Sequence, residues 1–209
     1  MLSDKEYWEQ GTKRFDENLQ RFQRIIESFP EPRRTQVRAM FAGCFGDQFM
    51  TAPASTRRKY HNAFPSGLLD HSLRVVDNAL RMTQAMAPYR WPQHRISFCA
   101  LFHDLGKAGS PGKPYYTPQT DAFWEKRGQL WEVSKDEFMP NAEKSLYLLQ
   151  LYGVTVDHEE ALSIRLNDGM GSESNREYSF HEPDLSLFIH WADHFSMREE
   201  KRLDQVPVG

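Results

Sequence analysis

Residues 96–107 read ISFCALFHDLGK, an apolar run that ends in the adjacent pair His103 and Asp104. Pro92 fits the first turn of a helix that leads into this run, since the first helical positions need no backbone N–H donor. The sequence therefore predicts a buried helix that carries an imidazole and a carboxylate into the protein. A buried carboxylate without a partner is strongly destabilising, so Asp104 needs a counter-ion.

Two further apolar segments carry residues of the same kind. His71 lies on the apolar face of a helix that we predict to begin near Ser66 and Gly67, and Asp193 lies within LSLFIHWADHFSM. One such residue alone is more often a hydrogen-bonded core residue or a helix cap. Three apolar helices that each bring a His or Asp inward predict a shared divalent metal ion. Mixed imidazole and carboxylate ligands favour Mn, Ni, Co, Fe or Zn, with Mg as a further option.

The remaining sequence predicts an all-α fold. Apolar residues recur at helical spacing over most of the chain, whereas strand signals are weak and confined to residues 129–133. Residues 106–140 are rich in Gly, Pro and aromatics and predict a long irregular insertion. Its rings either stack on a base or pack within the loop; they are Tyr115, Tyr116, Phe123, Trp124 and Trp131. The predicted helices span residues 3–28, 33–49, 66–80, 92–104, 142–152, 157–167 and 184–200.

Composition narrows the function classes. A chain of 209 residues fits one domain, or one domain with an extra arm. The formal net charge of −3 provides no basic field for tight binding to long nucleic acid. Cys44 and Cys99 are far apart and predict free thiols in a reducing compartment. No segment resembles a signal peptide or a membrane span, so we expect a cytoplasmic protein. The oligomeric state stays open.

The order of the candidate ligands resembles the HD-domain superfamily, whose pattern is H…HD…D. GLLDHSLRV around His71, ALFHDLGK around His103 and Asp104, and IHWAD ending at Asp193 each resemble the corresponding family segment. The resemblance implies a helical bundle with these four residues as metal ligands, and an Asp104 that can also bridge a second ion. It spans roughly residues 60–197. We therefore predict an N-terminal helical extension, 1–55, packed on a hydrolase core, 56–209.

The residues after the HD pair indicate the subtype. Position 107 is Lys, whereas the nucleotide 5′-phosphatase and stringent-response branches carry Glu there, and the His-rich continuation of dNTP triphosphohydrolases is absent. HDLGK is similar to cyclic-dinucleotide phosphodiesterases, the HD nucleases of CRISPR interference and a bacterial exoribonuclease. HNAFPSGLLDHSL, from His61, is most similar to that exoribonuclease. The resemblance implies a metal-dependent phosphohydrolase acting on a nucleotide or short oligonucleotide.

The mechanism that we expect assigns a role to each nearby polar residue. Asp104 holds the attacking water, and Lys107, one helical turn after His103, balances charge on the phosphoryl oxygens. His61 or Asp168 handles the proton of the leaving group, and Asn167 lies with Asp168 in the substrate-binding set. Binuclear members of the superfamily usually carry a His at the place of Asn167, so we expect one tightly bound ion.

Two other functions are compatible with the same residues. The HDLGK motif also occurs in the di-iron oxygenase that cleaves inositol, although Asn167 in place of a His argues against two irons. A binding module with a degenerate site is the third reading, and the presence of all four ligand types argues against it. Metal content separates the three.

Overall fold

The computed structural model describes residues 4–86, 88–89, 91–135 and 138–203, and this part of the chain is mostly helical. The predicted all-α class is therefore confirmed. Among the described residues, no helix combines the length and apolarity needed to cross a bilayer. The helices are α1 (Asp4–Glu27), α2 (Arg33–Phe41), α3 (Cys44–Thr51), α4 (Gly67–Ala85), α5 (Gln93–Phe102), α6 (Ala122–Glu125), α7 (Asn141–Leu151), α8 (His158–Arg165) and α9 (Asp184–Leu203).

Helix α4 lies at the centre of the fold. It packs against α9, α5, α1 and α3, and α8 packs against α9, α7 and α5 on the far side. Its sequence, GLLDHSLRVVDNALRMTQA, buries residues on almost every face of its first three turns, which suits a helix enclosed by neighbours. The apolar residues of α4 and α5 form one continuous core with those of α9. Polar side chains on the inward faces of these helices are consequently removed from water.

The N-terminal helices contribute to that same core. Phe22 of α1, Val37 of α2 and Phe49 of α3 belong to the cluster that contains Leu69 of α4 and Phe98 of α5. Each of these five side chains is at most 2% exposed. The apolar core is therefore continuous across residue 55, and the division into an extension and a hydrolase core stays a prediction.

The single helix predicted over residues 33–49 is wrong, because α2 ends at Phe41 and α3 begins at Cys44. Gly43 between them has an extended backbone, with φ −136° and ψ −163°. The corner is tight: a Cβ on Gly46 would lie 2.3 Å from the Phe41 carbonyl oxygen. Apolar residues continue at helical spacing on both sides of this corner, so the periodicity alone does not reveal the break.

The insertion is more regular than we predicted. A 3-10 helix, Leu105–Ala108, leads into a small antiparallel pair, β1 (Gly109–Ser110) and β2 (Lys113–Pro114). A second pair joins β3 (Tyr116–Pro118) to β4 (Trp131–Val133), with α6 between its strands. The predicted hairpin edge at residues 129–133 thus coincides with β4. Strands of two or three residues carry too little alternation to be predicted from sequence.

The contact between α1 and the segment before α4 provides a test of the packing. We expect Gly11→Ala to lower the free energy of unfolding by about 1–3 kcal/mol. A Cβ there would lie 1.9 Å from the Pro65 carbonyl oxygen, so α1 must shift even though alanine favours helix. Urea denaturation followed by circular dichroism measures the change. Gly171→Ala is the control, since nothing lies within 4 Å of a Cβ at that position. Equal midpoints for the two variants would contradict the prediction.

Candidate metal centre

Three helices bring the predicted ligands to one place in the interior. Helix α4 carries His71, α9 carries Asp193, and the pair His103 and Asp104 directly follows α5. Both imidazoles are completely buried, and Asp104 and Asp193 are only 5% and 9% exposed. Because α4 packs against both α5 and α9, the same apolar contacts that hold these helices also bring the four side chains together.

The four side chains are close enough to share one ion. His71 Nε2 lies 3.0 Å from Asp193 Oδ1 and 3.6 Å from Asp104 Oδ2. His103 Nε2 lies 3.4 Å from Asp104 Oδ2 and 3.8 Å from Asp193 Oδ1. Ligand atoms at about 2.0–2.3 Å from one ion are at most about 4.6 Å apart. All four separations are therefore compatible with a common ion.

Each imidazole is held through its Nδ1 atom. The Nδ1 of His103 lies 2.7 Å from the carbonyl oxygen of Ala100, and the Nδ1 of His71 lies 3.0 Å from a carboxylate oxygen of Glu200. Because both partners are acceptors, the proton of a neutral ring is on Nδ1 and the lone pair is on Nε2. Both Nε2 atoms are buried and have no hydrogen-bond partner within the described residues. Two buried lone pairs beside two carboxylates fit a metal cation.

Both carboxylate oxygens of Asp104 are fixed by hydrogen bonds. Lys107 Nζ donates to Oδ2 over 2.5 Å, and Asn141 Nδ2 donates to Oδ1 over 2.5 Å. Burial raises the pKa of this carboxyl, but the charges of Lys107 and His103 more than compensate and hold the pKa of Asp104 well below its usual range. Burial lowers the pKa of Lys107, whereas Asp104 raises it, and the net direction is upward. The two groups form a partly buried ion pair.

The carboxylates of Glu200 and Asp193, on either side of His71, change the pKa of its ring. Burial lowers the pKa of His71, but Glu200 and Asp193 outweigh this effect and raise it to about 10. For Asp193 the effects have the opposite sign. Burial raises its pKa, whereas its contacts with His71 lower it, and the net direction is downward. In the metal-free protein, a proton on His71 is the cation that these carboxylates stabilise. A metal ion at Nε2 replaces that proton, so metal binding should release protons.

The arrangement of donor atoms could hold a metal ion. Ligand atoms of His71, His103 and Asp104 all lie within 4.8 Å of one another, and Asp193 reaches the same two nitrogens. Two imidazoles with two carboxylates suit Mn, Fe, Co, Ni and Zn. The chemistry of the donors and the unpartnered Nε2 atoms both fit such an ion.

Besides Lys107, the three other residues expected to bind substrate lie at different depths. His61 is buried, its ring centroid is 4.8 Å from that of His71, and its Nε2 has no partner within the described residues. Burial and the nearby His71 lower the pKa of His61 well below its usual range. Asp168 lies at the surface, and partial burial together with the charge of Asp104 raises its pKa. Asn167 is buried, and its backbone oxygen accepts a hydrogen bond from His190 Nδ1 over 2.7 Å.

The aromatic residues of the insertion divide into two groups. Burial raises the pKa of Tyr116 to about 12, while the charge of Lys107 opposes the shift. Tyr115 packs edge-to-face on Tyr116. Phe123 and Trp124 are 52% and 42% exposed instead. The two tyrosines are therefore less exposed than Phe123 and Trp124.

Trp131 is anchored away from solvent. Its Nε1 donates to the Ala63 carbonyl oxygen over 2.7 Å, and its ring packs edge-to-face on Trp8. The Ala63 amide in turn donates to the Tyr7 hydroxyl over 2.7 Å. For Trp131, the packing role that the sequence left open is the observed one.

Two residues that contact the centre were not anticipated from the sequence. Glu200 bonds to His71, and Asn141 bonds to Asp104. Glu200 lies seven residues after Asp193, two turns along one helical face, but this spacing alone does not indicate that the side chain is buried. Asn141 is the first residue of α7, and no spacing or motif in the sequence relates it to Asp104.

Comparisons with protein-family models, with curated proteins and with solved structures found no match for this chain.

Metal binding by purified protein tests the centre. We expect His103→Ala to lower the affinity for Mn, Co or Zn by at least roughly 100-fold, because removal of a first ligand costs at least as much as loss of its supporting partner. Isothermal titration calorimetry and elemental analysis measure affinity and stoichiometry. His158→Ala is the matched control, since His158 is exposed at the start of α8. Equal metal binding by both variants would exclude His103 as a ligand.

Proposed function

We propose that this chain is a metal-dependent phosphohydrolase of the HD-domain superfamily, acting on a nucleotide or short oligonucleotide. The observation that carries the proposal is the pair of buried, unpartnered Nε2 atoms of His71 and His103 beside Asp104 and Asp193. The order of these residues in the sequence also matches the H…HD…D pattern. Both the geometry and the sequence support the same four ligands.

A divalent transition metal would be held by these four side chains. Such an ion, when bound, supplies a Lewis acid that activates water and polarises a phosphoryl oxygen. Mn, Ni, Co, Fe and Zn suit the donor set, with Mg as a further option. We propose one tightly bound ion, because Asn167 is a poor ligand where binuclear relatives carry a His.

Asp104 and Lys107 supply the chemistry that the chain itself contributes. Since Lys107 and Asn141 fix both oxygens of Asp104, this carboxylate is oriented before substrate binds. A fixed carboxylate can accept a hydrogen bond from the attacking water and hold its direction. The ammonium of Lys107 has further N–H groups beyond the one directed at Asp104. These groups can donate to phosphoryl oxygens as negative charge develops.

The proton of the leaving group has two candidate carriers. Asp168 lies at the surface and has a raised pKa, which favours the protonated form that a general acid needs. His61 is buried and has a lowered pKa, so its neutral ring can accept a proton or a hydrogen bond. Of the two, Asp168 is the better placed to act as an acid at a solvent-accessible edge.

Two variants of Asp104 distinguish its role in metal binding from its role in turnover. We expect Asp104→Ala to abolish hydrolysis and lower metal occupancy, because it removes a charged ligand. Asp104→Asn should keep part of the metal but little turnover. Elemental analysis and a chromogenic phosphodiester assay on the same preparations measure both quantities. Asp121→Asn is the control, since Asp121 only caps α6 in the insertion. Wild-type turnover by metal-loaded Asp104→Asn would exclude this carboxylate from the reaction.

The role of Lys107 is tested by a change that spares the ligands. We expect Lys107→Ala to keep the fold and the metal while kcat/KM falls by roughly 100-fold. Metal should stay bound, because the variant removes a positive charge beside Asp104 and leaves the negative charge of this ligand available to the ion. Lys107→Arg should recover only part of the rate, since a planar guanidinium does not replace a compact ammonium. Lys126→Ala, at an exposed lysine of the insertion, is the control. An unchanged rate for Lys107→Ala would remove Lys107 from the mechanism.

A further inference from the structure

The two carboxylates of α9 contact the two nitrogens of one imidazole. Asp193 Oδ1 lies 3.0 Å from His71 Nε2, and Glu200 Oε1 lies 3.0 Å from His71 Nδ1. They are seven residues apart and share one face of α9, which packs along α4. The two carboxylates are nevertheless not equivalent, because their other neighbours differ.

Glu200 already has a cation. Arg74, one turn after His71 on α4, places its Nε 3.5 Å from Glu200 Oε1. The Glu200 side chain is 0% exposed and therefore depends on these buried partners. Asp193, within the described residues, has ion pairs only with His71 and His103. The carboxylate without a Lys or Arg partner is thus the one that lies on the Nε2 side.

This difference assigns the two carboxylates to different tasks. Atoms of His61, His71 and Glu200 also lie within 4.8 Å of one another and could on distance alone hold an ion. The guanidinium of Arg74 beside Glu200 opposes a second cation there by electrostatic repulsion. Glu200 instead accepts the Nδ1–H of His71, as carboxylates commonly do behind a metal-binding histidine.

We propose that Glu200 is a positioning residue, which holds His71 in the tautomer that presents Nε2 to the metal ion. The proposal rests on the metal centre put forward above and adds a residue that acts through His71. Asp70 extends the arrangement, because Arg74 Nη2 also donates to Asp70 Oδ2 over 3.5 Å. Asn18 and Asn62 each donate to Asp70 over 3.0 Å. Arg74 is thereby held in place behind Glu200.

The test compares two neighbouring glutamates. We expect Glu200→Gln and Glu200→Ala to weaken metal binding by roughly 10- to 100-fold, measured by calorimetry with Zn or Mn in the absence of substrate. Glu199→Gln is the matched control: it makes the same change in net charge, one residue away, at a side chain that is 43% exposed and lies 3.9 Å from Arg74 Nη1, beyond hydrogen-bond distance. This variant should bind metal as the wild type does. Equal affinities for Glu200→Ala and wild type would overturn the proposal, because Gln at position 200 still offers an acceptor oxygen to the Nδ1–H of His71.

A second measurement needs no variant and is insensitive to stability. Proton–nitrogen correlation spectra of ¹⁵N-histidine-labelled, Zn-loaded wild type report which nitrogen of His71 binds the ion. The proposal requires a proton on Nδ1 and the ion on Nε2, and Zn at Nδ1 would overturn it. Where Glu200→Ala folds, its His71 signals should lose this single pattern, and an unchanged pattern would count against the proposal. Metal binding without hydrolysis would refute the proposed reaction alone and leave the role of Glu200 standing.

Discussion

The interior of this fold contains two histidines and two carboxylates, and the apolar side chains of the surrounding helices offer these polar groups no hydrogen bonds. His71 and His103 are 0% exposed, and their Nε2 atoms lie beside the carboxylates of Asp104 and Asp193. Burying such groups is unfavourable unless they are paired. A cation at the junction of α4, α5 and α9 would therefore stabilise their packing. In the metal-free protein, a proton on His71 takes this place.

The position of the centre could be predicted from the sequence because its residues interrupt apolar runs. His71, Asp104 and Asp193 each stand in a segment rich in apolar residues, and a polar residue in such a place is informative. The class of the fold followed from the same helical spacing. These signals are local, since each can be recognised within one helix.

The parts that could not be predicted depend on tertiary contacts. Glu200 lies in the run MREEKR, which has the composition of a solvated helix end, and only the packing of α9 on α4 buries it. Asn141 contacts Asp104 across 37 positions of sequence. The corner at Gly43 interrupts a periodic apolar pattern without changing it. The short strands of the insertion pair through backbone groups, which leave little trace in side-chain type.

The charges at the candidate centre favour a metal ion over a further lysine or arginine. Asp104 is paired with Lys107, and Glu200 is paired with Arg74, so each of these carboxylates is close to neutralised. Within the described residues, the ion pairs of Asp193 are with imidazoles alone. A side-chain cation could balance its charge but would not use the two Nε2 lone pairs, since ammonium and guanidinium groups only donate. A metal ion accepts lone pairs from nitrogen and oxygen at once and therefore meets both needs.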